Sequence, residues 1–251
     1  MKKGPTNLSV SVIMPTYNEA GNIADLIRET RTRMMQYGVQ KFEIIVVDDN
    51  SPDETWKFAA KAIPADKRIR VIRRMKDHGL TRSISEGINA ARHPVIIWMD
   101  CDFSHPPRYI PQLLFMIDQG FEVAVNSRYT VGGGEDRAGK GGKLQLFLSR
   151  ALNWGTRFVL YPSFSDYTSG FIAIRKSVLK ELPLRGDYGE YFIDLIFRIM
   201  SRNFKVCELP YFAEPRKSGE SKTGTNLTQY WRRGRKYIWT ILRLRFGGKG
   251  K

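Results

Sequence analysis

Ile44-Ile45-Val46-Val47-Asp48-Asp49-Asn50-Ser51-Pro52-Asp53 decides how this chain folds, together with a second run, Val95-Ile96-Ile97-Trp98-Met99-Asp100-Cys101-Asp102. Each is an apolar, β-branched stretch of strand length that ends in a pair of carboxylates. In a parallel α/β sheet the ligand crevice lies just beyond the carboxyl ends of the strands. Two such strands aim acids at one place, where a divalent metal and a phosphorylated ligand could sit.

The sequence on either side alternates strand and helix patterns. Leu8–Met14 reads as a first strand ending at Pro15-Thr16-Tyr17-Asn18-Glu19, and Ile23, Leu26, Ile27, Met34 and Met35 then recur at helical spacing. Phe42–Val47 is a second strand. Ser51, Pro52, Asp53 and Glu54 have the composition of a capping-box helix start. Ile69–Ile72 and Val95–Met99 read as strands around a helix over Leu80–Ala91. Ser104-His105-Pro106-Pro107 opens a helix through Ile117, and Phe121–Asn126 is a fifth strand. Helices over Leu144–Leu160 and Tyr191–Arg202 and strands over Gly170–Ile174 and Val206–Leu209 complete the pattern. The glycine-rich segment 131–142 between ordered elements has the composition of a mobile lid. The expected fold class is α/β, with a mostly parallel central sheet flanked by helices.

A chain of 251 residues with 42% hydrophobic side chains fits one such domain with an appended tail. Two cysteines at unrelated positions argue against a disulfide framework or a zinc site and for a reducing, cytoplasmic location. The basic N-terminus makes a poor signal peptide, and no run approaches the roughly 20 apolar residues of a membrane span. The net charge is +16, and residues 216–251 hold 11 of the 41 Lys/Arg but one of the 25 acids, Glu220. That asymmetry points to an anionic partner at one end, either nucleic acid or an acidic membrane surface.

Asp100-Cys101-Asp102 is a D-x-D at a strand end. On extended chain its two carboxylates point the same way. Mg²⁺ or Mn²⁺ takes a few carboxylate oxygens, water and substrate phosphate, and would act as a Lewis acid on a diphosphate leaving group. The other use for both acids is to cap the next helix near Ser104. Asp48 could accept hydrogen bonds from a nucleobase or ribose, or cap a helix. Tyr17 could pack on a base while Glu19 caps or touches ribose, and an ordinary strand-to-helix turn explains both equally well. Arg216-Lys217-Ser218-Gly219-Glu220-Ser221-Lys222 could hold phosphates or be a solvated loop. Cys101 occupies a position that asks for a small side chain. His78, His93 and His105 have no ligand spacing, and His105 fits a turn-shaping role before Pro106 and Pro107.

On a helical projection of the C-terminal segment, Leu227, Tyr230, Trp231, Tyr237, Ile238, Ile241, Leu242, Leu244 and Phe246 share one broad face. Arg232, Arg233, Lys236 and Arg243 lie opposite. This is the pattern of an amphipathic helix in a membrane interface, or of one packed on its own core. The paired acids in the expected cleft and the confinement of much of the charge to this tail weigh against nucleic acid as the partner.

The ordered set Pro15-Thr16-Tyr17-Asn18-Glu19, Val46 to Asp53, Asp100 to Pro107, Ser127-Arg128-Tyr129, Ser169-Gly170-Phe171 and Gly219-Glu220-Ser221-Lys222 resembles the family-2 inverting glycosyltransferases of GT-A fold. It is most similar to the dolichol- or polyprenyl-phosphate mannose synthases. The resemblance implies a GT-A, Rossmann-like catalytic domain over residues 1–222 and a basic amphipathic tail over 223–251. It implies nucleotide-sugar binding by Pro15, Tyr17, Glu19, Val46 and Asp48. Asp100 and Asp102 are implied as ligands of Mg²⁺ or Mn²⁺ and of the diphosphate, with Cys101 contributing backbone. Arg128, Arg216 and Lys222 match positions that hold donor or acceptor phosphates, and Asp166 is a possible electrostatic or sugar-binding residue.

The implied reaction moves mannose from GDP-mannose to a polyprenyl phosphate, with inversion, by a peripheral enzyme at an anionic membrane surface. The neighbouring alternatives are glucosyl transfer from UDP-glucose to the same kind of acceptor, and a soluble glycan acceptor. One departure bears on the acceptor. The family commonly carries Lys-Arg-Lys before the serine matching Ser149, and this chain has Leu144-Gln145-Leu146 there, with Lys143 just upstream.

Overall fold

The computed structural model describes residues 6–136, 142–218 and 227–247, with side chains described outside 142–145 and 227–233. The first half runs β1 (Thr6–Thr16), α1 (Ile23–Gln36), β2 (Val39–Asp48), α2 (Thr55–Lys61), β3 (Ile69–Arg73), α3 (Leu80–Ala90) and β4 (Val95–Trp98). A 3₁₀ turn, Pro107–Tyr109, leads into α4 (Ile110–Asp118) and β5 (Val123–Ser127). Then come β6 (Gly134–Glu135), α5 (Gly142–Val159), β7 (Ile172–Arg175), α6 (Lys176–Glu181), α7 (Glu190–Ser201), β8 (Val206–Pro210), β9 (Phe212–Ala213) and α8 (Leu227–Phe246).

The main sheet has seven strands in the order β3-β2-β1-β4-β7-β5-β8. Every pairing is parallel except those of β7, which runs antiparallel to β4 and β5. The reversal matters for the site, because Ile172 at the start of β7 pairs with Trp98 at the end of β4. The turn that leads into β7 therefore arrives at the edge where β1, β2 and β4 end.

Side-chain alternation with a period of two sorts the core onto both faces. Val10, Val12 and Met14 of β1, Ile44 and Val46 of β2 and Val95 and Ile97 of β4 pack with Ile23, Leu26, Ile27 and Met34 of α1. Ile13, Ile45, Val47, Ile96 and Trp98 face the other way, towards Ile84, Phe192 and Ile196. Met35, expected on the apolar face of α1, is 49% exposed.

Two helix starts differ from expectation. The capping box at Ser51 does not open α2. Glu54 adopts a left-handed φ of 58°, and the helix begins at Thr55, whose N–H is capped by Asp53 Oδ1 at 3.0 Å. Ser51 and the other Asp53 oxygen are instead used on the neighbouring loop. Phe103 is likewise left-handed, with φ 69°, so helical geometry begins only at Pro107. Of the expected glycine-rich lid, residues 137–141 lie outside the described residues. Gly134 and Glu135 form β6, which pairs with β9.

α8 packs against α7, with Tyr237, Ile241 and Leu244 on the core. Ile238, Leu242 and Phe246, assigned by projection to the same face, are exposed. The single apolar face is thus divided between core and surface. No helix among the described residues is long and apolar enough to cross a membrane.

α3 lies so close to β1 that a Cβ on Gly87 would sit 2.5 Å from Ile13 Cγ2. Gly87→Val is expected to cost about 1–3 kcal/mol through overpacking. Gly155→Ala on α5, where an added Cβ meets nothing within 4 Å, should gain about 0.5–1 kcal/mol. Urea denaturation of both variants checks the contrast.

Candidate functional site

Two loops at the carboxyl edge are tied together by the acids that the sequence singles out. Asp48 is fully buried, and its carboxylate accepts from Thr16 Oγ1 at 3.0 Å, Ser51 N at 2.9 Å and Ser51 Oγ at 2.5 Å. Asn18 N donates to Ser51 Oγ, Ala20 N to Asp53 Oδ2, and Glu19 N to Thr55 Oγ1 at 2.8 Å. Glu19 is buried, with Asn22 Nδ2 on its Oε2 at 2.8 Å. Tyr17 stays 43% exposed, and Val46 is wholly in the core. Pro15 is half-buried and pairs across β1 and β2 with Val47. The 48–55 turn thus holds the 15–20 turn rigidly, which leaves the Tyr17 ring at the surface.

Sequence reasoning missed a second brace. Asp49 receives Gly79 N at 2.7 Å and Ser83 Oγ at 2.8 Å, and pairs with the buried Arg74. Arg74 also bonds Glu86 Oε2 at 2.8 Å, so it fixes the loop before α3 to the end of β2. The signal in the sequence was Arg73-Arg74 at a strand end, opposite two carboxylates.

The D-x-D lies just beyond β4, outside the regular strand, and its two carboxylates differ in burial. Asp102 is 2% exposed and Asp100 is exposed. Asp102 Oδ1 accepts from Ser104 N at 3.0 Å and Ser104 Oγ at 2.6 Å, and Oδ2 faces Arg216 at 2.9 Å. One oxygen thus serves the capping use, and the other is paired with Arg216. Burial disfavours its charge, but Arg216 and the Ser104 bonds outweigh that and hold the carboxyl below its ordinary range. Cys101 is buried between the two acids.

His105 earns its place as a turn-shaping residue. Its Nδ1 accepts from Asp100 N at 2.9 Å, its Nε2 lies 4.0 Å from Asp100 Oδ2, and its ring stacks on Phe171. Burial lowers its pKa against the pull of Asp100 and Asp102.

Arg216 brings the C-terminal segment onto this site. Lys217 N donates to Asp102 O at 3.2 Å, Lys217 Nζ pairs with Asp25, and Ser218 Oγ bonds Asn22 Oδ1 at 2.6 Å. Residues 216–218 therefore cross from the D-x-D to the N-terminus of α1. Lys222 and the rest of 219–226, including the expected domain boundary, lie outside the described residues.

Arg128 is largely buried. It is 9% exposed and forms a two-pronged pair with the fully buried Asp166, through Nε and Nη2 at 2.8 Å each. Thr168 Oγ1 and Glu135 Oε2 complete its shell. Burial opposes both charges, yet the pairing raises the Arg128 pKa and lowers that of Asp166. Asp166 itself is positioned by Glu208, which accepts Ser165 N at 2.6 Å and Asp166 N at 2.9 Å. Glu135 was legible only as one acid in a glycine-rich run. The charges of Asp100, Asp102, Arg128 and Asp166 all reach the buried His105 ring, so the D-x-D and this pair share one region.

No group of three or more His, Cys, Asp or Glu able to hold a metal occurs among the described residues. Mg²⁺ or Mn²⁺ needs no such group, because one or two carboxylates with water and substrate phosphate satisfy it. The exposed Asp100, with Asp102 Oδ2 shared with Arg216, fits such an ion.

Asp166→Ala leaves the buried Arg128 with its weaker partner Glu135. It should cost about 3–5 kcal/mol by urea denaturation, with Asp166→Asn losing less. Because the folded carboxyl titrates below its unfolded value, its contribution is complete above about pH 4 and is lost as pH falls through the lowered value. The acid limb of the stability curve of Asp166→Asn should accordingly be flatter than that of the unaltered chain.

Residues 11–183 match the Glycosyl transferase family 2 description. The chain is 34% identical over 234 residues to the dolichol-phosphate mannosyltransferase of Pyrococcus furiosus, covering 90% of this chain and 62% of that protein. It is 33% identical over 226 residues to the polyprenol monophosphomannose synthase of Mycolicibacterium smegmatis, covering 87% and 82%. The glucosyl-3-phosphoglycerate synthase of Mycobacterium tuberculosis, solved with Mn²⁺, UDP and glucosyl-3-phosphoglycerate, superposes with a TM-score of 0.71. At 20% identity, covering 95% of this chain and 80% of that one, it speaks to the fold, which is the GT-A arrangement. The chain belongs to glycosyl transferase family 2.

Proposed function

We propose that this enzyme transfers mannose from GDP-mannose to a polyprenyl phosphate at a membrane surface, with inversion and with Mg²⁺ or Mn²⁺. The observation that carries the reading is the similarity, over 90% and 87% of the chain, to two proteins named for mannosyl transfer to such lipids.

The acceptor phosphate is anionic at neutral pH, so no residue has to deprotonate it. Its oxygen attacks the anomeric carbon as the bond from that carbon to the diphosphate breaks, and the bonding pair leaves with GDP. What the protein supplies is alignment and compensation of charge on the leaving diphosphate. A divalent ion, when bound, supplies Lewis-acid neutralisation there, and Asp100 with Asp102 Oδ2 would hold it.

Arg216 sits on Asp102, within reach of a diphosphate brought to that carboxylate, and Tyr17 offers an exposed ring to the nucleoside. In this reading Asp48 acts by fixing the 15–20 and 48–55 turns, since its own oxygens are occupied by Thr16 and Ser51. Arg128 acts through the packed Asp166–Thr168 turn.

Purified protein with labelled GDP-mannose, Mn²⁺ and polyprenyl phosphate should yield an organic-extractable labelled product. Asp100→Asn should lower kcat/KM by about two to three orders of magnitude. Label transfer only from UDP-glucose would move the donor. Product formed only on a water-soluble glycan would replace the lipid acceptor, the alternative left open by Leu144-Gln145-Leu146 standing where the family resemblance leads to expect a basic run.

A further inference from the structure

The strap formed by Arg216, Lys217 and Ser218 is fastened at both ends. At the D-x-D, Arg216 Nη2 faces Asp102 Oδ2 at 2.9 Å and Lys217 N donates to Asp102 O at 3.2 Å. Lys217 Nζ lies 3.1 Å from Asp25 Oδ2 and 5.0 Å from the centre of the Phe103 ring. At the other end, Ser218 Oγ donates to Asn22 Oδ1 at 2.6 Å, and Asn22 Nδ2 donates back to Ser218 O at 3.2 Å. The same Nδ2 donates to Glu19 Oε2 at 2.8 Å, in the turn that carries Tyr17. A Cβ on Gly21 would lie 2.8 Å from Ser218 Oγ, so the strap is seated directly on the residues before α1.

These contacts set the charge balance at the D-x-D. Asp100 and Asp102 are both acids, and Arg216 supplies one positive charge against them. Lys217 is neutralised by Asp25, and Arg128 is paired with Asp166. The cluster therefore has room for one further positive charge and not for two. A divalent cation on Asp100 and Asp102 Oδ2 would exceed that, beside a guanidinium 2.9 Å from the same oxygen. Like charges at such range repel strongly, and the burial of Asp102 with the partial burial of Arg216 weakens screening by solvent. A diphosphate removes the conflict. Its oxygens ligate such an ion and accept the two-pronged hydrogen bonds of an arginine. Neither ligand alone satisfies both Arg216 and the carboxylates, but the two together do.

We propose that Arg216 makes the divalent cation and the nucleoside diphosphate bind as a coupled pair, and that the strap carries this coupling from Asp102 to the Tyr17 turn. The proposal rests on the reading of the D-x-D as the place of the metal and the diphosphate. Coupling of this kind is reciprocal, so the factor by which the diphosphate tightens the metal is the factor by which the metal tightens the diphosphate. Ser218 acts as a positioning residue, because its bonds to Asn22 hold the strap that keeps Arg216 over Asp102.

The test is a titration of the full chain with Mn²⁺, followed by electron paramagnetic resonance of the free ion, with and without GDP. Mn²⁺ should bind at least about tenfold more tightly with GDP than without it, and GDP should gain the same factor from Mn²⁺. Arg216→Gln should tighten Mn²⁺ on the nucleotide-free chain about tenfold and shrink the coupling to below about threefold. Arg216→Lys, which keeps the charge, should leave Mn²⁺ weak on the nucleotide-free chain. Ser218→Ala should reduce the coupling at least about threefold with Tm unchanged, which a merely structural contact would not do. Arg216→Gln with unaltered Mn²⁺ affinity would overturn the proposal. So would Mn²⁺ binding that Asp100→Asn does not weaken, since the ion would then lie elsewhere. Unchanged coupling in Ser218→Ala would remove the strap from it. Coupling to UDP in place of GDP, lost in Arg216→Gln, would keep the role of Arg216 and remove the guanosine donor. Mannose transfer from GDP-mannose by a chain whose Mn²⁺ affinity ignores Arg216→Gln would do the reverse.

Discussion

Strand direction at one edge of the sheet is the constraint on which the rest depends. β1, β2 and β4 are parallel neighbours, so their carboxyl ends release Tyr17, Asp48 and Asp100 on the same side. β7 alone is reversed, and its reversal delivers the turn containing Asp166, Thr168 and Ser169 to that side from the opposite chain direction. A fully parallel sheet of this order would have placed that turn at the far edge, and Arg128 would have lost its partner.

Once acids converge at an edge, their mutual repulsion has to be managed, and the chain does so by assigning each one a partner. Asp48 is surrounded by hydroxyl and amide donors, Asp49 by Arg74, Asp102 by Ser104 and Arg216, and Asp166 by Arg128. Buried carboxylates need such compensation. Asp100 keeps an exposed carboxylate beside the buried His105. That division of labour makes a braced edge with an exposed carboxylate at its mouth.

Local patterning was legible where it was periodic. The alternation of β1, β2 and β4 and the stripe of α1 followed from spacing, and their ends fell within a few residues of expectation. What misled was any residue with two possible uses. Ser51 and Asp53 have capping composition, but the chain spends them on the 18–20 amides, so α2 starts at Thr55. Arg128 matches a phosphate-holding position by motif, and the fold adds a partner the motif does not show, Asp166. The apolar side of α8 was a single face on projection, and contact with α7 took Tyr237, Ile241 and Leu244 and left Ile238, Leu242 and Phe246 outside.

The sequence by itself determined the fold class, the strand ends that carry acids and the family motifs, because these depend on short-range periodicity and on residue identity. Only the tertiary structure decided which oxygen of Asp102 is committed and that Arg216 returns from the far end of the chain to meet it. Those outcomes depend on contacts between residues far apart in sequence, whose partners are chosen by burial and charge compensation once the sheet has set their positions.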